Sequence, residues 1–535
     1  MSIAGSKEKD HKSLSSSRKP PINGGTADIP GLRPPRAADQ NGVQHTPTGF
    51  TPSNGQVVSP DRPSTADTAA AEAVSDLQTA ALDADVIFSP ANTKKGRKLK
   101  RTERDKVLLT RDRWLVRNGH SLTYAGLYLF SIMVLFRPYE LVPGLEFLNS
   151  TAVYFAIATL AIFVPSQLAA EGNLSTFTTE VKAILAMTVI ALFTIPIAKD
   201  PVLAWDKFND PYIKAVVIFI VLVNVVRTRS RLMGMMWLSF GIGVYLSYAA
   251  LDLYLNGKFT VEDYRVAVDV GGMFGNPNEM AMHFVMMTPL TVVLGIAAKS
   301  KVMRWTYFGM GAMFVAANMV TYSRGGFLGL LGCSIVLAWK LGRKYRLNVT
   351  IASVVLGSIA IIAAPGNYGL RMLSIFVPGL DAVGSSDQRR ELLQRSLLVT
   401  ARNPWGIGIG NFPIVGVRNL QTHNAFTQVS SELGILGLIA YLVFMVSPFR
   451  KLSAIERTLF DQNRLNWFYY LSIGLQASII GYMVSSFFAS VAYNWFIYYL
   501  IAYAVAFRRI YSMKEESAAP GPGPLWQSQS AEKAA

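Results

Sequence analysis

Long apolar stretches recur through most of the chain and restrict what it can fold into. After residue 118 they are mostly about 15–22 residues long, close to the length that an α-helix needs to cross the hydrocarbon core of a bilayer. We therefore expect an all-α, polytopic membrane protein. Twelve candidate spans follow: 121–136, 151–169, 183–198, 212–226, 233–254, 280–298, 304–322, 326–341, 348–364, 432–448, 467–488 and 492–507.

The overall composition agrees with a chain that dissolves in lipid. Of its 535 residues, 51% are hydrophobic and 16% are charged, whereas a soluble protein has about 25% charged residues. Mean hydropathy is +0.29. A single cysteine excludes a disulfide framework and a cysteine-based zinc site.

Residues 1–118 differ from the rest of the chain. They contain 10 of the 26 prolines and no sustained apolar periodicity, so we expect a disordered tail without a cleavable signal peptide. Residues 94–117 carry 11 Lys/Arg against 3 Asp/Glu. This run suits either a nucleic-acid patch or a juxtamembrane flank that contacts anionic lipid, and its place just before the first apolar stretch favours the flank. We therefore expect membrane lipids, and no nucleic acid, as partners.

The distribution of basic residues supports twelve spans with both termini in the cytoplasm. With that topology, four cytoplasmic connections each contain at least three Lys/Arg: 227–231, 299–304, 340–346 and 450–464. The connection 170–182 has only one Lys, and the segment after the last span begins with two arginines. The predicted parts are thus a tail (1–118), a transmembrane domain (119–510) and a disordered carboxyl-terminal tail (511–535).

The same topology places the long segment 365–431 outside the cytoplasm as a large periplasmic loop. It violates the charge rule, because it contains more arginines than acidic residues. Guanidinium groups match phosphate oxygens in bidentate fashion, so an anionic ligand is the best physical reason for them. The six arginines are Arg371, Arg389, Arg390, Arg395, Arg402 and Arg418.

Four motifs fall on the predicted outer side, each at a junction between apolar stretches and polar loops. An arginine at such a junction is by default functional, although Arg324 could instead snorkel to the interface. The glycines at 406, 408 and 410 do not indicate a dinucleotide site, because no strand precedes them. The motifs are Tyr264-Arg265 with Phe274-Gly275-Asn276-Pro277-Asn278, Ser323-Arg324-Gly325-Gly326, Asn403-Pro404 with Gly406 to Phe412, and His423-Asn424 with Glu432 to Gly437.

Together these motifs resemble the bacterial O-antigen ligases and related polysaccharide polymerases. The most specific part is His423-Asn424, nine residues, Gly434, two residues and Gly437. The resemblance extends over roughly 120–507. It implies a membrane-embedded glycosyltransferase that has a large periplasmic loop and uses an undecaprenyl-diphosphate-linked glycan as donor, with no metal and no cofactor.

The resemblance and the residue chemistry suggest roles for individual side chains. His423 and Arg324 are the candidate catalytic residues, with His423 as the base or, alternatively, as a ligand of phosphate. Acidic residues are scarce on the outer side, which disfavours a paired-carboxylate glycosidase. The candidate diphosphate ligands are Arg265, Arg389 and Arg390, and the candidate supporting residues are Glu432, Asn424 and Asn278.

The sequence leaves the acceptor open. Transfer to lipid A–core defines a ligase, transfer to a growing glycan defines an O-antigen or exopolysaccharide polymerase, and transfer to protein defines an O-oligosaccharyltransferase. A lipid-linked oligosaccharide flippase or transporter is an alternative from another class, although we see no internal repeat and the unusual charges lie on one side.

Overall fold

The computed structural model describes residues 114–518, except 142–143, 149–150, 271–273, 345, 363, 365, 376 and 378–384. The predicted tail of residues 1–118 lies almost wholly outside the described residues, and helix α1 begins at Trp114. Residues 519–535 also lie outside them. The last helix continues to Ala518, into the segment that was expected to be the carboxyl-terminal tail.

The described residues are helical, and their only strand-like pairing is an isolated bridge between Val261 and Arg265. This architecture confirms the all-α prediction. The longer helices are α1 (Trp114–Leu135), α2 (Thr151–Glu171), α3 (Thr179–Thr194), α4 (Pro201–Lys207), α5 (Ile213–Val225), α6 (Arg229–Leu255), α7 (Pro277–Ala297), α8 (Lys301–Val320), α9 (Arg324–Leu341), α10 (Arg346–Ile362), α11 (Ser385–Arg402), α12 (Ala425–Glu432), α13 (Gly434–Asp461), α14 (Trp467–Ser486) and α15 (Trp495–Ala518).

Shorter helical turns occupy several of the connections. A π-helical segment, Phe208–Tyr212, joins α4 to α5. The others are Pro138–Leu141, Glu146–Leu148, Gly342–Lys344, Tyr368–Leu373, Phe412–Val415 and Val417–Asn419. The segment 365–431, expected as one large loop, therefore contains several helical elements, of which α11 is the longest.

Six helical stretches among the described residues are long and apolar enough to cross a membrane. The count of twelve spans and the sidedness of the chain stay predictions. The six are Thr151–Ala169, Pro201–Val225, Arg229–Leu255, Pro277–Ala297, Arg324–Leu341 and Gly434–Asp461.

Helices α7, α14 and α15 form the centre of the bundle. Helix α7 packs against α8, α9 and α14, and most of its side chains are buried. Peripheral helices instead expose large apolar side chains, among them Ile157 on α2, Ile335 on α9 and Ile351 on α10. Exposed aliphatic side chains on helices of this length are what a lipid-facing surface requires.

The ends of the helices meet at two faces of the bundle. We call the face that carries Arg265, Asn278, Ser323 and His423 the motif face, because it brings together the starts of α7, α9 and α12. We call the opposite face the clamp face. There the fully or partly buried carboxylates of Glu171, Glu180 and Glu456 contact cations from other helices.

Candidate functional site

Arg265 lies in the connection between α6 and α7 and is only 5% exposed. Its Nε donates to the carbonyl oxygen of Thr321 at 2.9 Å, and its Nη2 donates to Oδ1 of Asn278 at 3.0 Å. A carboxylate oxygen of Glu262 lies 3.7 Å from Nη1. The guanidinium is thus positioned mainly by neutral acceptors, which fix its direction but do not cancel its charge.

A second arginine, Arg371, lies beside the same segment. Its guanidinium carbon lies 4.9 Å from the ring centroid of Tyr264, and its Nε donates to the carbonyl oxygen of Tyr322 at 2.9 Å. It also contacts Glu262 at 3.8 Å. Burial and the nearby charge of Arg371 lower the pKa of Arg265 to about 10, so Arg265 remains cationic at neutral pH. Two cations near one carboxylate make this region attractive to an anion.

Asn278 connects this arginine to the Ser-Arg-Gly-Gly junction. Its Oδ1 accepts from Arg265 and also from Oγ of Ser323, at 2.8 Å. Ser323 in turn caps α9, since its Oγ accepts from the backbone N–H of Gly326 at 3.1 Å. Arg324 is the first residue of α9 and is 8% exposed.

The glycines of this junction allow α9 to lie close to its neighbours. A Cβ on Gly326 would lie 2.8 Å from the Cβ of Ala281 on α7. The carbonyl oxygen of Gly325 accepts from Oγ of Ser485 on α14 at 2.9 Å. The small residues therefore draw the start of α9 against the two central helices and place Arg324 there.

His423 lines a pocket of about 270 Å³ on the motif face. Its backbone is in the left-handed region with φ 50°, an uncommon conformation for a non-glycine residue. Oγ of Ser490, in the connection between α14 and α15, accepts from the backbone N–H of His423 at 2.8 Å. Burial, followed by the charge of Arg389, lowers the pKa of His423, so that the imidazole is neutral at pH 7.

Polar side chains from four separate segments line this pocket, including the segment of His423 itself. Asn278 is one of the sequence-predicted residues among them. The others used below are Lys207, Glu279, Gln428 and Asn494. A carboxylate oxygen of Glu279 accepts from Nδ2 of Asn494 at 3.1 Å, and Oε1 of Gln428 accepts from the backbone N–H of Ala492.

Asn424, predicted as a supporting residue, has a local structural contact. Its Oδ1 accepts from the backbone N–H groups of Phe426 and Thr427, at 2.9 and 3.1 Å. It therefore caps the start of α12, directly after His423. Through this cap it holds the loop that presents the imidazole.

Two of the glycine motifs pack against each other. Gly406 and Gly434 both have positive φ, 92° and 74°, and a Cβ on Gly434 would lie 2.3 Å from the carbonyl oxygen of Pro404. That oxygen accepts from the backbone N–H of Ile435 at 2.9 Å. The loop 403–411 thus lies against the break between α12 and α13, and Gly410 lines the pocket.

Glu432 is fully buried at the end of α12, just before the apolar helix α13 begins at Gly434. Its Oε1 accepts from the backbone N–H of Phe412 at 3.4 Å. Burial raises the pKa of Glu432 to about 7, although hydrogen bonds and the charge of Lys207 partly offset this effect. Glu432 interacts with Tyr493, which lines the pocket, so it contacts the pocket wall without lining the pocket itself.

Arg389 and Arg390 both lie on α11 but differ in surroundings. Arg389 lowers the pKa of both Arg265 and His423, which places its charge near both groups. Arg390 is exposed and is not among the described residues that line the pocket. Helix α11 itself is held by Leu392 and Val399, which pack with Ile407 and Phe412 of the glycine loop.

The sequence predictions did not identify Lys207, Glu279 and Asn494 as site residues. Glu279 stands in a motif that was selected for its arginine and glycines, next to Asn278. Its partner Asn494 lies 215 residues away, and the packing of α7 against α14 and α15 brings them together. Ser490, between two apolar stretches, and Asn494, near the start of the second stretch, were the available signal for this part of the pocket.

The fold and this site define a membrane protein with a polar, cationic site at the ends of its helices. Residues 308–442 match the family model of the O-antigen ligases, about a quarter of the chain. The match covers Arg324, Arg389, His423 and Glu432, and it confirms the resemblance to the O-antigen ligase superfamily. With the membrane-length helices it supports an O-antigen ligase-type membrane enzyme. No curated protein matches the chain.

Proposed function

We propose that the protein is a glycosyltransferase of the bacterial inner membrane, with the motif face in the periplasm and both termini in the cytoplasm. It transfers a glycan from an undecaprenyl-diphosphate-linked donor to an acceptor hydroxyl. The observation that carries the proposal is the shared pocket. His423 and Asn278 line it together, and Asn278 binds the guanidinium of Arg265.

The cations of the motif face suit the diphosphate of such a donor. The acceptor oxygen would attack the anomeric carbon while the bond from that carbon to the diphosphate oxygen breaks. Negative charge then grows on the leaving undecaprenyl diphosphate. Arg265 and Arg389, with Arg324 at the adjacent junction, would stabilise this charge in the transition state more than in the ground state.

We infer that His423 acts as the base, since burial and the charge of Arg389 lower its pKa and so favour the neutral ring that can accept a proton. The neutral ring would accept the proton of the acceptor hydroxyl. Glu279 lines the same pocket and is a second candidate for this proton, held in place by Asn494.

The test is transfer by the purified full chain in nanodiscs, given a lipid-linked glycan and a candidate acceptor. We expect His423→Ala to lower the transfer rate on the order of 10²-fold or more, the range for general acid–base catalysis. Gln394→Ala, at an exposed position of α11, is the matched control and should transfer as the wild type does. Gel filtration and thermal unfolding would verify that both variants are folded.

Two outcomes would contradict the proposal. Undiminished transfer by His423→Ala would remove the pocket from the reaction. Passage of lipid-linked glycan across sealed vesicles with no transfer would establish the flippase alternative.

Deletion followed by glycan analysis decides the acceptor: loss of lipopolysaccharide ladders with intact lipid-linked polymer indicates a ligase, and single-repeat caps or loss of secreted polymer indicates a polymerase. Loss of glycan from proteins would indicate a protein O-oligosaccharyltransferase.

A further inference from the structure

A second and larger cavity, of about 760 Å³, lies on the clamp face. It is formed where the starts of α6, α8 and α14 meet the ends of α7 and α15. Helix α7 has 21 residues and reaches from the His423 pocket to this cavity, so the two are about 30 Å apart. The cavity is therefore separate from the proposed site of glycan transfer.

The charge of this cavity is positive. Three cationic side chains line it, those of Arg229, Lys299 and Lys514, and none of the described residues that line it is Asp or Glu. The acidic neighbour of Lys514, Glu515, is paired with Arg464 at 2.9 Å. All three cations are exposed, so their charge is accessible to an anion from outside the chain.

Aromatic rings hold two of these cations in position. The guanidinium carbon of Arg229 lies 4.5 Å from the ring centroid of Trp467, and Nζ of Lys514 lies 5.4 Å from that of Phe468. Stacking engages the face of a guanidinium rather than the N–H groups at its edge, and those groups are the donors that suit phosphate oxygens.

Apolar side chains surround the cations. Ile296, Met303 and Leu465 line the cavity and are 37–39% exposed, and Trp467 lines it as well. Tryptophan beside cations at the ends of membrane helices is typical of the level of the lipid headgroups. A ligand that fits both the cations and this rim has an anionic head and an apolar tail.

The backbone supplies further support. Ser300, which lines the cavity, precedes α8, and its side chain makes no capping hydrogen bond. The N–H groups of the first turn of α8 therefore add positive character beside the three cations.

We propose that this cavity, the basic pocket, binds the phosphate of an anionic phospholipid in the leaflet opposite the His423 pocket. Its volume lies within the range of small-ligand sites, and basic pockets between helices on the cytoplasmic side are suited to anionic headgroups. Arg229 and Lys514 contact the phosphate, while the exposed apolar rim contacts the acyl chains. The proposal needs the chain to lie in a membrane and does not depend on the transfer reaction.

The test uses the purified full chain in detergent, with phosphatidylglycerol or phosphatidylcholine added, and native mass spectrometry to count bound lipid. We expect phosphatidylglycerol to be retained in preference. The triple variant Arg229→Gln, Lys299→Gln, Lys514→Gln should lower its affinity on the order of 10²-fold, since each cation near an anionic lipid is worth a factor of about five.

The matched control is Lys182→Gln, Arg450→Gln, Arg457→Gln, which removes three exposed cations outside the basic pocket. Its affinity should be close to that of the wild type. Equal losses in both triple variants, equal retention of phosphatidylcholine, or full displacement of the lipid by millimolar glycerol phosphate would each overturn the proposal. The last outcome would instead indicate a site for a free phosphate. Thermal unfolding would show that both variants are folded.

Discussion

The motif face and the clamp face pair their charged side chains differently. On the clamp face, Glu180 contacts Arg508 and Lys451, and Glu456 contacts Lys340 and Arg343 at 2.8 Å each. On the motif face, two arginines approach the single carboxylate of Glu262 no closer than 3.7 Å. The cations that meet Glu180 and Glu456 thus neutralise carboxylates within the bundle, whereas Arg265 and Arg371 of the motif face leave positive charge for a ligand.

The kind of partner explains the difference. Arg508 meets both oxygens of Glu180, at 2.5 and 3.2 Å, which is the bidentate geometry that holds two helices together. Arg265 instead donates to a backbone carbonyl and to a side-chain amide. Neutral acceptors orient a guanidinium while its charge stays available. The bidentate pair of Arg508 therefore indicates a role in stability, whereas the mainly neutral partners of Arg265 indicate a role in binding.

The largest expected effect is a loss of stability at the clamp. Glu180→Ala leaves Arg508 without its carboxylate, and breaking a buried ion pair costs about 3–5 kcal/mol of the free energy of unfolding. Denaturant unfolding of the detergent-solubilised protein would measure the change. Glu515→Ala, which breaks the more exposed pair with Arg464, should cost less than about 1 kcal/mol.

The pH dependence of the free energy of unfolding tests the ion pair of Glu180 in a second way. Burial alone would raise the pKa of Glu180, but the hydrogen bonds and charge of Arg508 outweigh it and lower the pKa to about 2. The folded-state pKa is below the unfolded value, so this stability is present above about pH 4.5 and is lost as the pH falls towards 2. In Glu180→Ala, the free energy of unfolding should therefore fall less between pH 4.5 and pH 2 than in the wild type. An unchanged pH dependence would contradict a stabilising role for the Glu180–Arg508 pair.

The next effect is a loss of activity at the motif face. Arg265→Lys keeps the charge, but one ammonium cannot reproduce the planar fork that reaches Thr321 and Asn278. We expect the transfer rate to fall on the order of 10²-fold, as when one donor to a developing negative charge is removed.

The matched substitution on the other face is Arg508→Lys. This variant should lower the unfolding temperature, because Arg508 forms an ion pair with Glu180. The folded protein should keep its transfer rate, because this ion pair lies on the face opposite the His423 pocket. An equal loss of activity in both arginine variants would contradict the distinction between the two faces. So would a loss of stability, without a loss of activity, in Arg265→Lys.

Local sequence signals predicted the helices and parts of the site because they depend on short-range chemistry. The apolar runs indicated helices of membrane length, and Asn-Pro and Ser-Arg-Gly marked true helix starts at Pro277 and Arg324. The residues that sequence reasoning missed depend on contacts across the bundle. Glu279 and Asn494 meet only because α7 lies beside α14 and α15, and no spacing in the sequence encodes that contact.

The glycine motifs also show that contacts between distant segments cannot be predicted from local sequence. The sequence excluded a dinucleotide site at the glycines of 406–410, and the structure shows tight backbone packing between Gly406 and Gly434. These two glycines belong to separate motifs of the sequence, yet the backbone of each motif leaves no room for a side chain on the glycine of the other. Likewise, the adjacent arginines Arg389 and Arg390 have equivalent sequence contexts, and only the rotation of α11 distinguishes the one whose charge affects His423.

The smallest expected effect is a shift in the pH dependence of transfer. Arg389 is one of the two causes that lower the pKa of His423, so Arg389→Ala should raise that pKa. The neutral imidazole is the active base, and the rate falls when it is protonated. The acidic limb of kcat/KM should therefore move to higher pH in Arg389→Ala, while Arg390→Ala, the exposed neighbour, leaves the limb in place. An identical limb in both variants would mean that Arg389 acts on the donor alone and that another group, such as Glu279, takes the proton.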